Sequence, residues 1–88
     1  MVGNLSEALA TEGNHNTATV IGDGSTASAG QGNDNTATTV GDDSATVAGT
    51  GDGNTATVEG DGSTAEATAP NGCTATAVGD GQTETCSS

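Results

Sequence analysis

The sequence predicts an all-β fold, a flattened parallel β-solenoid with about 19 residues per coil and two parallel sheets. The first observation is a register of turn residues whose spacings alternate between ten and nine residues. It runs through Gly3, Gly13, Gly22, Gly32, Gly41, Gly51, Gly60, Pro70 in a glycine's place, and Gly79. The second is that a short Thr- and Ala-rich run, alternating at period two, follows each turn. A fixed repeat of this length indicates coils that stack and share a core.

Composition alone favours disorder, and the register outweighs it. The 88 residues contain no Phe, Tyr or Trp, and 12 acidic residues face no Lys or Arg, which gives a formal net charge of −12. Few large apolar residues with high net charge are typical of unfolded chains. A disordered tract has no reason to keep a strict register, so we predict one folded domain over residues 1–88, about four and a half coils long.

The N-terminal segment, residues 1–12, is the first element. SEALATE contains good helix formers, but the glycine register extends into this segment and its inward positions hold small residues. These are Ser6, Ala8 and Ala10. We therefore expect a half-coil that caps the solenoid, with Glu7 outward, where its charge hinders end-to-end stacking of strand edges. Neither a cationic start nor an apolar run is present, so we expect a mature chain without a signal peptide or a membrane span.

Each following phrase is predicted as a turn and a strand. Turns such as Gly-Asp-Gly-Ser tolerate positive φ. Counting the glycine as position zero, positions three, five and seven point inward and positions four, six and eight outward. The inward residues are Asn16, Ala18, Val20; Ser25, Ala27, Ala29; Asn35, Ala37, Thr39; Ser44, Thr46, Ala48; Asn54, Ala56, Val58; Ser63, Ala65 and Ala67. They are small and uniform, as a thin interior between two sheets requires.

Asparagine recurs at one inward position, as Asn16, Asn35 and Asn54. We expect these side chains to stack in register and to hydrogen-bond up and down the stack, which satisfies their buried polarity. With the main-chain bonds between coils, such ladders must supply much of the cohesion that large apolar side chains supply in other proteins.

The C-terminal coil, residues 70–88, contains both cysteines. Cys73 at position three and Cys86 at position seven of the next phrase face each other across the interior, because successive strands of a coil run in opposite senses. We expect a disulfide, worth about 3 kcal/mol in the chain-entropy model, and hence an oxidising, secreted setting. Two buried free cysteines are the alternative.

The outward positions separate the two sheets. One sheet carries a Thr-Ala-Thr pattern four times at nineteen-residue spacing. Its threonines are Thr17 and Thr19, Thr36 and Thr38, Thr55 and Thr57, Thr74 and Thr76. The other sheet keeps the pattern poorly, with Thr26 and Ser28, Ala45 and Val47, Thr64 and Glu66, Thr83 and Thr85. Strand preference accounts for any one exposed threonine, but not for eight on one face while the opposite face varies.

Such threonines form two ranks, about 6.6 Å apart along a strand and about 4.8 Å apart between coils. Because threonine has few χ1 choices, its methyls and hydroxyls repeat as a rigid lattice. The oxygen repeats on ice crystal planes are close to both spacings. The expected partners are therefore ice and its ordered surface water, with methyls favouring cage-like water and hydroxyls anchoring it. No catalytic group or cofactor is needed, so we expect no enzyme.

The repeated Thr-x-Thr, the alanine and threonine richness and the nineteen-residue coil resemble the hyperactive insect antifreeze proteins. The resemblance is closest to the inchworm (geometer moth) type, a flat silk-like β-helix, and covers the chain from Gly13 to Cys86. It implies an ice-binding face at the eight threonine positions and secretion into a haemolymph-like fluid. The chain differs from the beetle pattern because no cysteine lies within each Thr-x-Thr and no disulfide braces each coil.

Two other functions fit a repeat of this kind, a calcium-binding roll and an adhesin-like structural repeat. Asp23, Asp42, Asp61 and Asp80 recur along one edge at nineteen-residue spacing and invite a cation. The calcium-loop pattern is absent, which favours solvated turn carboxylates. Adhesin heads and curli-like repeats ordinarily form trimers or fibres, whereas both ends of this chain look capped, so we expect a monomer.

Other classes are excluded by charge. A chain without Lys or Arg cannot make the phosphate contacts that dominate nucleic-acid affinity, and anionic membranes would repel it. His15 stands alone in a turn, without a Cys or carboxylate partner at ligand spacing, so we interpret it as a surface histidine.

Overall fold

The computed structural model describes residues 6–68 and 71–86, and over these residues the protein is a β-solenoid of nine short strands without a helix. The strands are β1 (Glu7–Thr11), β2 (Thr17–Ile21), β3 (Thr26–Gly30), β4 (Thr36–Val40), β5 (Ala45–Gly49), β6 (Thr55–Glu59), β7 (Thr64–Ala67), β8 (Thr74–Val78) and β9 (Thr83–Cys86). The predicted fold class is confirmed. Gly3 and Pro70 of the glycine register, and the first five residues of the predicted cap, lie outside the described residues. Within those residues no helix is long and apolar enough to cross a membrane.

The strands form two parallel sheets, one on each side of the solenoid. The five-stranded sheet has the order β1-β3-β5-β7-β9 and the four-stranded sheet the order β2-β4-β6-β8. Each strand pairs with the next strand of its own sheet at an offset of nineteen residues, as in Thr17↔Thr36 and Thr26↔Ala45. Parallel neighbours need a crossover connection, and here the intervening strand of the opposite sheet provides it. The offset fixes the coil at nineteen residues, as predicted.

The interior is a single thin layer of small side chains between the two sheets. The Cα atoms span 29 × 21 × 11 Å. Val20 and Val58 are the largest apolar side chains that are fully buried, and alanines fill most of the remaining interior. The predicted alternation of inward and outward residues is confirmed in strands β2 to β8, except that outward Gly49 is buried and inward Ala18 is half-buried.

Glycine at position zero allows the turns to stack, as Gly41 shows. Gly41 has a φ of +138°, and a Cβ atom placed there would lie 1.8 Å from the carbonyl oxygen of Gly60 in the next coil. The same backbone is hydrogen-bonded on both sides, because Gly41 N–H donates to Ile21 O at 2.9 Å and Gly60 N–H donates to Val40 O at 2.8 Å. The ladder of turn hydrogen bonds therefore occupies the space that any side chain would need.

The described part of the N-terminal segment is strand and not helix. Strand β1 pairs in parallel with β3, with Ala8 opposite Ala27 and Ala10 opposite Ala29. Ala8 is half-buried and Ala10 is exposed. Tertiary pairing with β3 thus overrides the helix propensity of SEALATE, which is a weak local preference.

The two cysteines form the predicted disulfide. Cys73 and Cys86 are separated by 13 residues, with 6.0 Å between their Cα atoms. The bond joins the turn before β8 to the end of β9, the outermost strand of the five-stranded sheet. It therefore ties the last described strand to the stack.

We expect the double variant Cys73→Ala/Cys86→Ala to lose about 3 kcal/mol of unfolding free energy, because the bond restricts the unfolded chain. Urea denaturation followed by circular dichroism measures the loss. Amide hydrogen exchange should show the earliest loss of protection in β9. An unchanged midpoint, with β9 protected as before, would mean that strand pairing alone holds the terminal coil.

Candidate functional site

The outer face of the four-stranded sheet brings all eight predicted threonines together. The strand register pairs them residue by residue, so that they form two straight ranks. The first rank is Thr17, Thr36, Thr55 and Thr74, and the second is Thr19, Thr38, Thr57 and Thr76. The nineteen-residue spacing predicts these ranks, and the strand register places the threonines in that order. We call these two lines of residues the threonine ranks.

The hydroxyls of the threonine ranks are available to water. Five of the eight lie half-buried, namely Thr19 on the edge strand β2 and the four threonines with threonine neighbours on both sides, Thr36, Thr38, Thr55 and Thr57. Among the described residues, none of the eight hydroxyls is hydrogen-bonded to another protein group. Each therefore keeps its donor and acceptor capacity for solvent, while lateral crowding and β-branching restrict χ1.

An asparagine ladder fixes the register of the turn that leads into each strand of this sheet. Asn35 donates from Nδ2 to Gly51 O at 2.8 Å and to Gly30 O at 3.3 Å. Its Oδ1 accepts from Asn54 N–H at 2.9 Å. The asparagines stack as predicted, but each amide bonds to main-chain groups of neighbouring turns and not to another side-chain amide. Each asparagine therefore ties its turn to the main chain of the next coil.

A serine ladder, which we did not predict from the sequence, does the same for the five-stranded sheet. Ser44 Oγ donates to Gly60 O at 2.8 Å and accepts from Ser63 N–H at 3.2 Å. Ser25 makes the equivalent bond to Gly41 O at 2.7 Å. The available signal was the recurrence of serine at position three of every second phrase, in alternation with asparagine.

Two buried threonines form a hydroxyl pair across the interior. Thr39 of β4 donates from Oγ1 to Oγ1 of Thr46 in β5 at 2.5 Å, and Thr46 Oγ1 donates to Thr38 O at 3.3 Å. Neighbouring coils place Val or Ala at these two positions. Thr39 Oγ1 also lies 3.2 Å from Thr26 O, so each hydroxyl has the other hydroxyl and one main-chain carbonyl as partners.

We expect Thr39→Val and Thr46→Val each to lower the unfolding free energy by about 1 kcal/mol, because each removes the bond between the two hydroxyls, while the remaining hydroxyl keeps its main-chain acceptor. The double variant should cost less than the sum, since valine has the shape of threonine and neither hydroxyl is left unpaired. Urea denaturation of the four proteins gives the coupling. Additive losses would show that the two hydroxyls do not depend on each other.

The aspartates on the edge of the solenoid act as turn acceptors. Oδ1 of Asp42 accepts from Asp23 N–H at 2.8 Å, and Oδ1 of Asp61 accepts from Asp42 N–H at 2.9 Å. Asp80 continues the series toward Asp61 N–H at 3.1 Å. Within the part of the chain that the structure describes, no group of three or more His, Cys, Asp or Glu side chains is placed to hold a metal ion. The carboxylates therefore have a hydrogen-bonding role of their own in the turns.

His15 is a surface histidine, as predicted, but the expectation that it has no carboxylate partner is wrong. Its Nδ1 lies 3.4 Å from Oδ1 of Asp34, and the two side chains are 85% and 69% exposed. The partner lies nineteen residues ahead, one coil further along the solenoid. The coil period was the signal that could have found this pair. Polar contacts this exposed contribute little to stability, so the pair is a surface feature.

The outer face of the five-stranded sheet is uneven by comparison. Gly30 and Gly49 take outward positions, and a Cβ atom at either would lie 2.4 Å from a main-chain oxygen of the preceding coil. A shallow groove runs beside them, lined in part by Val47 and Thr50. Glu66 adds a charge to this face. The two outer faces therefore differ in regularity, as the sequence predicts.

Comparison with known proteins adds no family to this description. No protein-family model, no curated protein and no solved structure matches the chain. Function therefore has to be inferred from the residues and from the geometry of the sheet faces. The threonine ranks are the most regular feature that those faces offer.

Proposed function

We propose that this protein is an antifreeze protein that binds ice through the outer face of the four-stranded sheet. The observation that carries the proposal is the common register of the eight threonines, which turns a sequence repeat into a two-dimensional array. An array of this kind suits a partner that is itself periodic. A small molecule or a peptide would engage only a few of its positions.

The chemistry of the array favours ordered water. Threonine places a methyl group and a hydroxyl at each node, at intervals of about 4.8 Å between strands and about 6.6 Å along a strand. The methyls favour a cage-like first water layer, and the free hydroxyls anchor that layer by hydrogen bonds. The alanines beneath, Ala18, Ala37, Ala56 and Ala75, are paired in the same register, so the underlying sheet repeats without interruption.

Adsorption to the crystal explains the effect on freezing. Ice between adsorbed molecules must grow with a curved front, which lowers the freezing point without a colligative contribution. This action needs neither a cofactor nor a catalytic group. We further propose a secreted monomer, since the Cys73–Cys86 disulfide fits an oxidising environment and a net charge of −12 opposes self-association.

Incorporation into growing ice tests the proposal. The chain has no lysine, so an amine-reactive dye labels it once, at the N-terminal amine. A single ice crystal grown slowly from a dilute solution should take up the labelled protein on defined planes, whereas Thr57→Tyr should be excluded with the other solutes. Exclusion of the folded wild-type protein would contradict ice binding and favour a calcium-binding roll or an adhesin-like repeat.

A further inference from the structure

Each strand of the four-stranded sheet has a third outward residue, and these residues indicate a wider binding surface. We propose that the ice-binding face is three ranks wide and that its third rank, formed by Ile21, Val40, Glu59 and Val78, also contacts ordered water at the ice surface. Glu59 is the one interruption of that rank. This inference rests on the proposed function and assigns residues that the threonine pattern does not include.

The register extends to this third rank without a break. Ile21 pairs with Val40, Val40 with Glu59, and Glu59 with Val78, in the same ladders that align the threonines. All four side chains point outward and are exposed, with relative exposures of 47% for Ile21, 38% for Val40 and 64% for Val78. On the opposite sheet Leu9 and Val47 are exposed to a similar extent, 44% and 36%, but Ser28 separates them in the register. Ile21 and Val40 are direct neighbours, so the feature of the third rank is its alignment and not exposure alone.

The shape of the side chains is shared across all three ranks. Eleven of the twelve outward residues in β2, β4, β6 and β8 are β-branched, and Glu59 is the exception. On the five-stranded sheet, six of the thirteen outward strand residues are β-branched. These six are Thr11, Thr26, Val47, Thr64, Thr83 and Thr85. The feature that distinguishes the binding face is thus β-branching as well as threonine.

Valine and isoleucine can continue the lattice that threonine begins. They carry a γ-methyl on a stiff χ1, and the third rank lies about 6.6 Å beyond the second by strand geometry. Their methyls therefore repeat at the intervals of the threonine methyls, and they lack only the anchoring hydroxyl. We assign to this rank the ordering of cage-like water over an apolar edge of the face.

Glu59 interrupts that apolar edge. It lies between Val40 and Val78 in the rank, and no other outward residue of these four strands is acidic. A carboxylate holds its own strongly oriented hydration shell, which competes with a cage-like layer. Glu59 should therefore limit the activity of the wild-type protein.

A second copy of the chain is the other occupant that an apolar rank could attract. Stable protein interfaces bury about 1,200–2,000 Å² in total, far more than one line of three apolar side chains can supply. Two chains with a net charge of −12 each also repel one another. The in-register lattice favours ice, and self-association becomes an outcome of the test.

Two charge substitutions test the third rank, each with a matched control on the opposite face. Val40→Glu should reduce thermal hysteresis, whereas Val47→Glu should not, although the wild-type side chains are 38% and 36% exposed. Glu59→Val should raise thermal hysteresis at equal molar concentration, whereas Glu66→Val on the five-stranded sheet should not. Glu59→Val also replaces a charge by a strand former, so the test does not depend on a variant that fails to fold.

The outcomes separate this inference from the proposed function. An inactive wild-type protein would overturn both. Wild-type activity that Thr57→Tyr abolishes, together with equal activities for Val40→Glu and Val47→Glu and no gain for Glu59→Val, would overturn the third rank alone. A gain for Glu59→Val that sedimentation traces to dimers would also overturn it, because the apolar rank would then serve a second copy.

Discussion

Thr38→Tyr will abolish most of the thermal hysteresis of this protein. Thr38 lies in the second threonine rank with Thr19 and Thr57 on its two neighbouring strands. A tyrosine ring there would stand above the surrounding threonines and hold the crystal away from the whole array. Because adsorption needs simultaneous contact along both ranks, one protruding side chain in the centre disables the face.

The matched change Thr64→Tyr, on the outer face of the five-stranded sheet, should leave activity close to the wild-type value. Thr64 is an exposed strand residue. Tyrosine is also favoured in strands, so this variant should fold. Nanolitre osmometry of both variants at equal concentration, with circular dichroism as a folding control, measures the difference. Equal losses from the two variants would overturn the assignment of binding to the four-stranded sheet.

Gly41→Ala will destabilise the fold by more than about 4 kcal/mol, a loss that only a few mechanisms produce. The added Cβ would lie 1.8 Å from Gly60 O, 2.6 Å from Gly60 C and 3.2 Å from Gly60 N. All three are main-chain atoms of a hydrogen-bonded turn, which cannot move without separating two coils. A domain stability of about 5–15 kcal/mol leaves little after such a loss, so we expect a largely unfolded chain in mild urea.

Gly62→Ala is the control, because it adds the same methyl group without the collision. Gly62 has a φ of +66°, and no atom lies within 4 Å of a Cβ placed there. The expected cost is the left-handed backbone penalty of about 1–2 kcal/mol. Urea midpoints from circular dichroism compare the two variants. Similar midpoints would show that backbone conformation, and not the approach of the next coil, makes glycine necessary at Gly41.

The coil architecture could be predicted because it depends on local rules that repeat. The alternation of ten and nine residues between turn glycines sets the coil length, and period-two alternation sets which side chains face inward. The disulfide followed from the same counting, since it only needed Cys73 and Cys86 to face one another across a coil. Because the same pattern recurs in each coil, a misassigned residue in one coil does not change the assignment of the others.

Contacts between specific atoms could not be predicted in the same way. The Thr39–Thr46 hydroxyl pair and the His15–Asp34 pair each depend on which side chains a neighbouring strand or coil presents. The asparagine amides had two ways to satisfy themselves, through one another or through the main chain, and spacing alone does not decide between them. These contacts can be identified only from the folded structure.

Spacing predicted the alignment of the eight threonines, which the register shows, but not the third rank that we propose. Counting identified positions four, six and eight as outward. The first two hold threonine in every coil of this sheet, whereas the third holds Ile, Val or Glu, so the residues at the third position share a shape more than an identity. Chemical identity is easier to see in a sequence than shared shape. Register and exposure in the folded protein make the shared β-branching visible.

The most direct test of ice binding is the thermal hysteresis of the unmodified protein, measured in a nanolitre osmometer with and without EDTA. We predict a gap between melting and freezing points that chelation leaves unchanged, because the threonine ranks need no metal. A protein that circular dichroism shows to be folded, and that produces no gap, would contradict the ice-binding account. A gap that EDTA abolishes would contradict its metal-free mechanism and direct attention to the aspartate edge.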